Sequence, residues 1–83
     1  VKMSISEFIN LVDEGHEIEF VYEGKKYSVT YGVIDEKEVI SFCEFYKDSV
    51  EVETVNELLE IIYNKKKVSD MIETLKEDDV WVF

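Results

Sequence analysis

Residues 17–31, EIEFVYEGKKYSVTY, alternate apolar and polar side chains on both sides of one glycine, and this pattern predicts a β-hairpin. A two-residue loop at Gly24-Lys25, glycine first, suits the type II′ turn that right-twisted strands accept. With the tip there, Glu23 faces Lys26, Tyr22 faces Tyr27, Phe20 faces Val29 and Ile18 faces Tyr31. One face of the hairpin is then wholly aromatic and aliphatic. The other carries Glu17, Glu19, Val21, Glu23, Lys26, Ser28 and Thr30.

Before the hairpin, Ser4-Ile5-Ser6-Glu7 has the spacing of a capping box, in which serine and glutamate satisfy orphan amides at a helix start. Ile5, Phe8, Ile9 and Val12 then give that helix an apolar stripe, and Gly15 supplies the left-handed residue that stops it. After Gly32, residues 33–37 are expected to form a loop. Glu38 to Tyr46, EVISFCEFY, is β-branched and aromatic enough for a third strand, with apolar residues on both faces as in a central strand. Lys47-Asp48 turns the chain into a short fourth strand, Ser49 to Glu53, at an edge.

Thr54-Val55-Asn56-Glu57 is a second capping box, and Val55, Leu58, Leu59 and Ile62 form the stripe of a second helix. Lys65, Lys66 and Lys67 would close it, either by complementing the helix dipole or as a local basic patch. Ser69 would cap a third helix running to Lys76, with Val68, Met71, Ile72 and Leu75 inward. The final Val80-Trp81-Val82-Phe83 follows three acids and is too apolar to sit in water. Either it adds an edge strand, or it is a handle for a partner or a second copy.

Eighty-three residues imply a single domain, 1–83, with a modest core and a radius of gyration of roughly 12 Å, which favours a binding surface over a deep pocket. Twenty acidic residues stand against nine lysines and no arginine, for a net charge of −11. Such a balance repels nucleic acid and anionic membrane and attracts basic partners. Cys43 is the only cysteine, so no disulfide can form within the chain and the cytoplasm is the expected compartment. No apolar run reaches the length of a membrane span, and the amino end, VKMSISEF, has no signal-peptide core.

Chemistry is sparse. His16 is the single histidine, and a triad needs a nucleophile and an orienting acid beside it; a Cys43–His16 pair is the one combination available. One cysteine and one histidine exclude the usual structural zinc sets. Asp35-Glu36 with Glu38, and Glu77-Asp78-Asp79, lack the spacing of a calcium loop and read as solvated charge. Neither a phosphate loop nor a nucleophile elbow occurs, so neither an enzyme nor a cofactor or metal is expected.

The remaining feature is acidity. Glu17, Glu19 and Glu23 line one side of the hairpin, and Glu44, Glu51 and Glu53 would continue it, depending on strand order. Like-facing residues on a strand recur about every 6.6–6.8 Å, near the spacing of phosphates along one DNA strand, so such a face can imitate a nucleic-acid backbone. The plainer reading is a polar face that is merely wet.

The hairpin, FCEFY at 42–46 and VETVNELLE followed by KVSDMIETL resemble the small uncharacterised acidic α+β proteins of Firmicutes and their phages and mobile elements. They share the order helix, hairpin, aromatic strand, helix, short last helix. In size and acidity the chain is also similar to phage-borne anti-CRISPR inhibitors, which implies occlusion of a basic effector. The expectation is a two-layer α+β domain, α-β-β-β-β-α-α, with a three- or four-stranded antiparallel sheet. Its expected function is that of a non-enzymatic interaction module binding a basic nucleic-acid-binding protein through Glu17, Glu19, Glu23, Glu51 and Glu53. The alternative is a structural or regulatory subunit, a homodimer or part of a hetero-complex, that associates through Tyr46, Trp81 and Phe83.

Overall fold

The computed structural model describes residues 3–83 and has the α+β architecture. Helix α1 spans Ile5–Asp13, and strands β1 to β4 span Ile18–Tyr22, Lys25–Ile34, Lys37–Glu44 and Val50–Val52. Helix α2 (Val55–Glu60) is followed by a small hairpin of β5 (Ile62–Tyr63) and β6 (Lys66–Lys67), helix α3 (Val68–Thr74), a 3₁₀ turn (Glu77–Asp79) and β7 (Val80–Val82). The main sheet is antiparallel and five-stranded, in the order β4-β3-β2-β1-β7. The carboxyl-terminal segment is thus an edge strand, the first of the two forms expected of it, and raises the sheet from four strands to five.

Both capping boxes form. Ser4 Oγ accepts from the Glu7 amide at 3.0 Å, Thr54 Oγ1 accepts from the Glu57 amide at 3.1 Å, and each glutamate returns a bond to its cap amide. Gly15, at φ 85°, ends the first helix as its position predicts.

The first hairpin turns one residue earlier than the sequence suggests. Phe20 pairs with Tyr27 and Ile18 with Val29, so the loop is Glu23-Gly24, both at positive φ (50° and 79°) as a type I′ turn demands. The register shifts by two residues, which leaves every side chain on its expected face. Glutamate carries a left-handed strain that asparagine tolerates better. Glu23→Asn, which makes the Asn-Gly pair favoured in type I′ turns, is expected to raise stability by roughly 0.5–1 kcal/mol in urea unfolding. A loop at Gly24-Lys25 would make the substitution neutral.

The same turn recurs twice. Asp35-Glu36 (φ 50° and 68°) joins β2 to β3, so residues 33–37 are not a loop: β2 continues through Ile34 and β3 begins at Lys37. Asn64-Lys65 (φ 51° and 67°) joins β5 to β6, and this corrects the carboxyl end of the second helix. That helix stops at Glu60, with no basic residue in its last turn; Ile62 is exposed, and Lys65 to Lys67 belong to the hairpin, where Lys67 pairs with Glu60 at 2.8 Å. The third helix starts at Val68 after Lys67, without a side-chain cap, so Ser69 lies inside it.

A single core fills the space between helices and sheet. Phe20, Tyr27 and Phe42 stack with centroids 5.3–6.1 Å apart, and Tyr63 meets Tyr27 and Phe42 edge-on at 6.0 and 5.4 Å. Phe8, Val12, Leu58, Val68, Met71, Ile72 and Leu75 close over this stack. The buried Tyr27 hydroxyl accepts from Asn64 Nδ2 at 3.1 Å, which ties the small hairpin to the aromatic cluster. Tyr63 instead donates to the Asp48 carbonyl at 2.8 Å. These bonds explain why Ile62 and Tyr63 leave the helical path: an aromatic contact and two anchored turns replace one more helical turn. The radius of gyration is 11.8 Å.

Candidate interaction surface

Pairing across the sheet decides which candidate side chains are neighbours. The core-facing side holds Ile18, Phe20, Tyr27, Val29, Ile40 and Phe42. The opposite side follows by alternation: Glu17 and Glu19 near β1, Ser28 and Thr30 on β2, Ser41 and Cys43 on β3, Glu51 on β4 and Trp81 on β7. All three helices contribute their buried residues to the core on the first side. The second side is the outer face.

Glu17, Glu19 and Glu51 share that outer face, but not as one line. Between β1 and β4 lie two strands, so the two groups stand about 14 Å apart, with hydroxyls and the Cys43 thiol between them. Glu23, in the turn, leaves the strand ladder, and Glu53 lies just past the end of β4, bordering both a cleft beside Glu51 and a cleft over Tyr31 and Ile40. Glu44 pairs with Tyr27 on the core-facing side and accepts from Asn64 at 2.9 Å, so it does not extend the acidic face.

Glu51 is held in place. Its Oε2 accepts from Ser41 Oγ at 2.9 Å and from Ser49 Oγ. The Ser49 hydroxyl foremost, and the Ser41 hydroxyl after it, hold this carboxyl below the usual glutamate range. A pKa lowered in the folded state means that these bonds favour folding above the unfolded pKa, and that the contribution fades as pH falls through the folded one. Ser49→Ala is expected to move the Glu51 midpoint up toward the ordinary value in a carboxyl carbon NMR titration. An unmoved midpoint would show that the serine does not hold the charge.

Aromatic residues occupy the same face at its other end. Lys26 Nζ sits 5.2 Å from the Phe45 ring centre and 5.7 Å from that of Trp81, so one ammonium bridges two π faces. Tyr46 continues the line edge-on to Phe45 at 6.0 Å. It is 99% exposed and has φ 67°, a left-handed conformation that costs a bulky residue about 1–2 kcal/mol. Phe83, 65% exposed, bonds through its amide to the Glu17 carbonyl at 2.8 Å and so lies beside Glu17. The sequence offers the acids and the aromatics as alternative surfaces; the pairing puts Glu19, Glu51 and Trp81 on one, with Glu17 beside them, and the ring contact with Phe45 places Tyr46 next to it. Only strand order and the Lys26 bridge bring them together, and neither is written in local pattern.

His16 and Cys43 have separate partners. His16 Nδ1 lies 2.9 Å from the backbone oxygen of Phe83, which only accepts, so the Nδ1–H donates; its Nε2 is 3.5 Å from Glu14. Cys43 Sγ lies 3.6 Å from Ser28 Oγ. Among the described residues no three His, Cys, Asp or Glu side chains converge as a metal site. Among them, too, no helix is long and apolar enough to cross a membrane. No protein-family model, curated protein or solved structure matches the chain.

Proposed function

We propose that this chain is a non-enzymatic interaction module whose outer sheet face docks on a basic, nucleic-acid-binding protein and occludes it, as an inhibitor carried by a phage or mobile element would. The observation that supports this reading is the sharing of one face by Glu17, Glu19 and Glu51 and by the aromatic line from Tyr46 to Trp81. Carboxylates steer a basic partner and aromatics hold it, since interface cores favour Tyr, Trp and Phe over charged residues. The net charge of −11 opposes direct contact with nucleic acid or anionic lipid. A lone thiol fits the cytoplasm.

Affinity capture from host lysate at low and high salt, with added oligonucleotide as competitor, tests it. A basic nucleic-acid-binding protein that is released by salt and displaced by oligonucleotide is the expected result. A neutral partner retained through high salt overturns it.

A second reading has its own observation. β7 closes the sheet order, and Trp81, Val82 and Phe83 are all exposed along that edge. Such an edge can pair with another chain, so a subunit role, as a homodimer or within a hetero-complex, is the alternative. It predicts an assembly in sedimentation that survives high salt and is lost in Trp81→Ala; a monomer at all concentrations and no salt-resistant partner would discard it.

A further inference from the structure

Val33 lies on the core-facing side of β2, in line with Val29 and Tyr31, yet it is 69% exposed. The sheet extends further than its helical cover. Over this uncovered end opens a cleft of about 740 Å³, between the last turn of α1 and the start of α2. Its walls are Val12 and Val55, and its floor continues from the core through Tyr31 and Ile40. Asp13, Glu38 and Glu53 border it, and no lysine or histidine is among the described residues that line it. Neither the Lys67–Glu60 ion pair nor the His16–Glu14 contact involves those three acids. Helix α1 also ends in Asp13 without a basic residue in its last turn, so carboxylate and dipole add at the rim.

We propose that this cleft is a docking site for a basic amphipathic helix of a partner protein, its aliphatic stripe on Val33 and its lysines or arginines against Asp13, Glu38 and Glu53. Charge complementarity selects the occupant: a second copy of a chain at −11 would bring like charge to an acidic rim. Shape agrees, because the space is a gap in a layer otherwise made of helices, and an apolar stripe between helix ends is how grooves take amphipathic helices. Burial foremost, and the Glu17 and Asp13 carboxylates after it, push the Tyr31 hydroxyl up. This surface is on the opposite side of the sheet from the outer face and does not depend on that face binding anything.

The test is an NMR amide titration of the labelled protein with a synthetic helix of ~18 leucine and lysine residues at helical spacing, and with its leucine-glutamate counterpart. The lysine peptide is expected to shift Val12, Tyr31, Val33, Ile40 and Val55, and the glutamate peptide to shift none of them. Val33→Ser, at an exposed position that leaves the core intact, should weaken the lysine peptide about tenfold. Glu38→Gln with Glu53→Gln should weaken it at low salt only. Shifts confined to Ser28, Cys43 and Trp81, equal binding by Val33→Ser, or no shift at all would overturn the proposal. So would concentration-dependent shifts at the cleft without peptide, which would assign it to a second copy. An outer face that fails to respond leaves the cleft proposal standing.

Discussion

Phe42→Ala is expected to cost about 3–5 kcal/mol, a large share of the roughly 5–15 kcal/mol that holds a folded domain together. Phe42 is fully buried, lies parallel to Tyr27 within 6° at 5.7 Å, and meets Tyr63 edge-on at 5.4 Å. Removing the ring opens a cavity where β1, β2, β3 and the small hairpin meet, and three neighbouring rings lose a partner at once. Relaxation cannot close that cavity easily, because Tyr27 is tied by Asn64 and Tyr63 by the Asp48 carbonyl. Urea unfolding followed by circular dichroism measures it. Tyr27→Phe is the informative comparison: it keeps the stack and loses only the bond from Asn64, so about 1 kcal/mol is expected. A Phe42→Ala cost near that of Tyr27→Phe would mean that the aromatic cluster is not the centre of the core.

Much of the fold was legible because its signals are local. Capping boxes at Ser4 and Thr54, the stop at Gly15 and the alternation through Ile18, Phe20, Tyr27 and Val29 each need only a few neighbouring residues. The errors at the turns share one cause. The three two-residue hairpin turns place charged or amide residues at positive φ, namely Glu23, Asp35-Glu36 and Asn64-Lys65, whereas only the first contains a glycine. Turn chemistry without glycine looks like loop or helix, so 33–37 read as a loop and Ile62 to Lys67 as the end of a helix. Tertiary contacts supply what propensity lacks: the Tyr63 edge contacts and the Asn64 bonds hold the last turn open. The surface was legible by residue but not by arrangement. Glu17, Glu19 and Glu51 could be assigned to strands from alternation, while the strand order that separates them, and the placing of Glu44 on the core-facing side, come from long-range pairing.

The outer face makes a kinetic prediction in which its two kinds of residue separate. Replacing Glu17, Glu19 and Glu51 by glutamine keeps their shape and removes three charges from the side that would meet a basic partner. The association rate at low salt is expected to fall about tenfold or more and to converge with that of the parent chain at high salt, since steering acts at long range and is screened. The amide oxygen introduced by Glu51→Gln still accepts from the Ser41 and Ser49 hydroxyls, so the strand edge need not rearrange. Tyr46→Ala should behave differently. Its ring is fully in solvent before binding, so the fold loses little beyond the edge contact with Phe45, while a buried aromatic anchor is worth about 2 kcal/mol, or roughly thirtyfold in dissociation rate. Surface plasmon resonance with the captured partner resolves both rates. If the glutamine variant changes only dissociation, the carboxylates make short-range contacts instead of steering. If Tyr46→Ala leaves dissociation unchanged, the strained tyrosine is not the anchor, and the apolar edge of β7 becomes the surface to test.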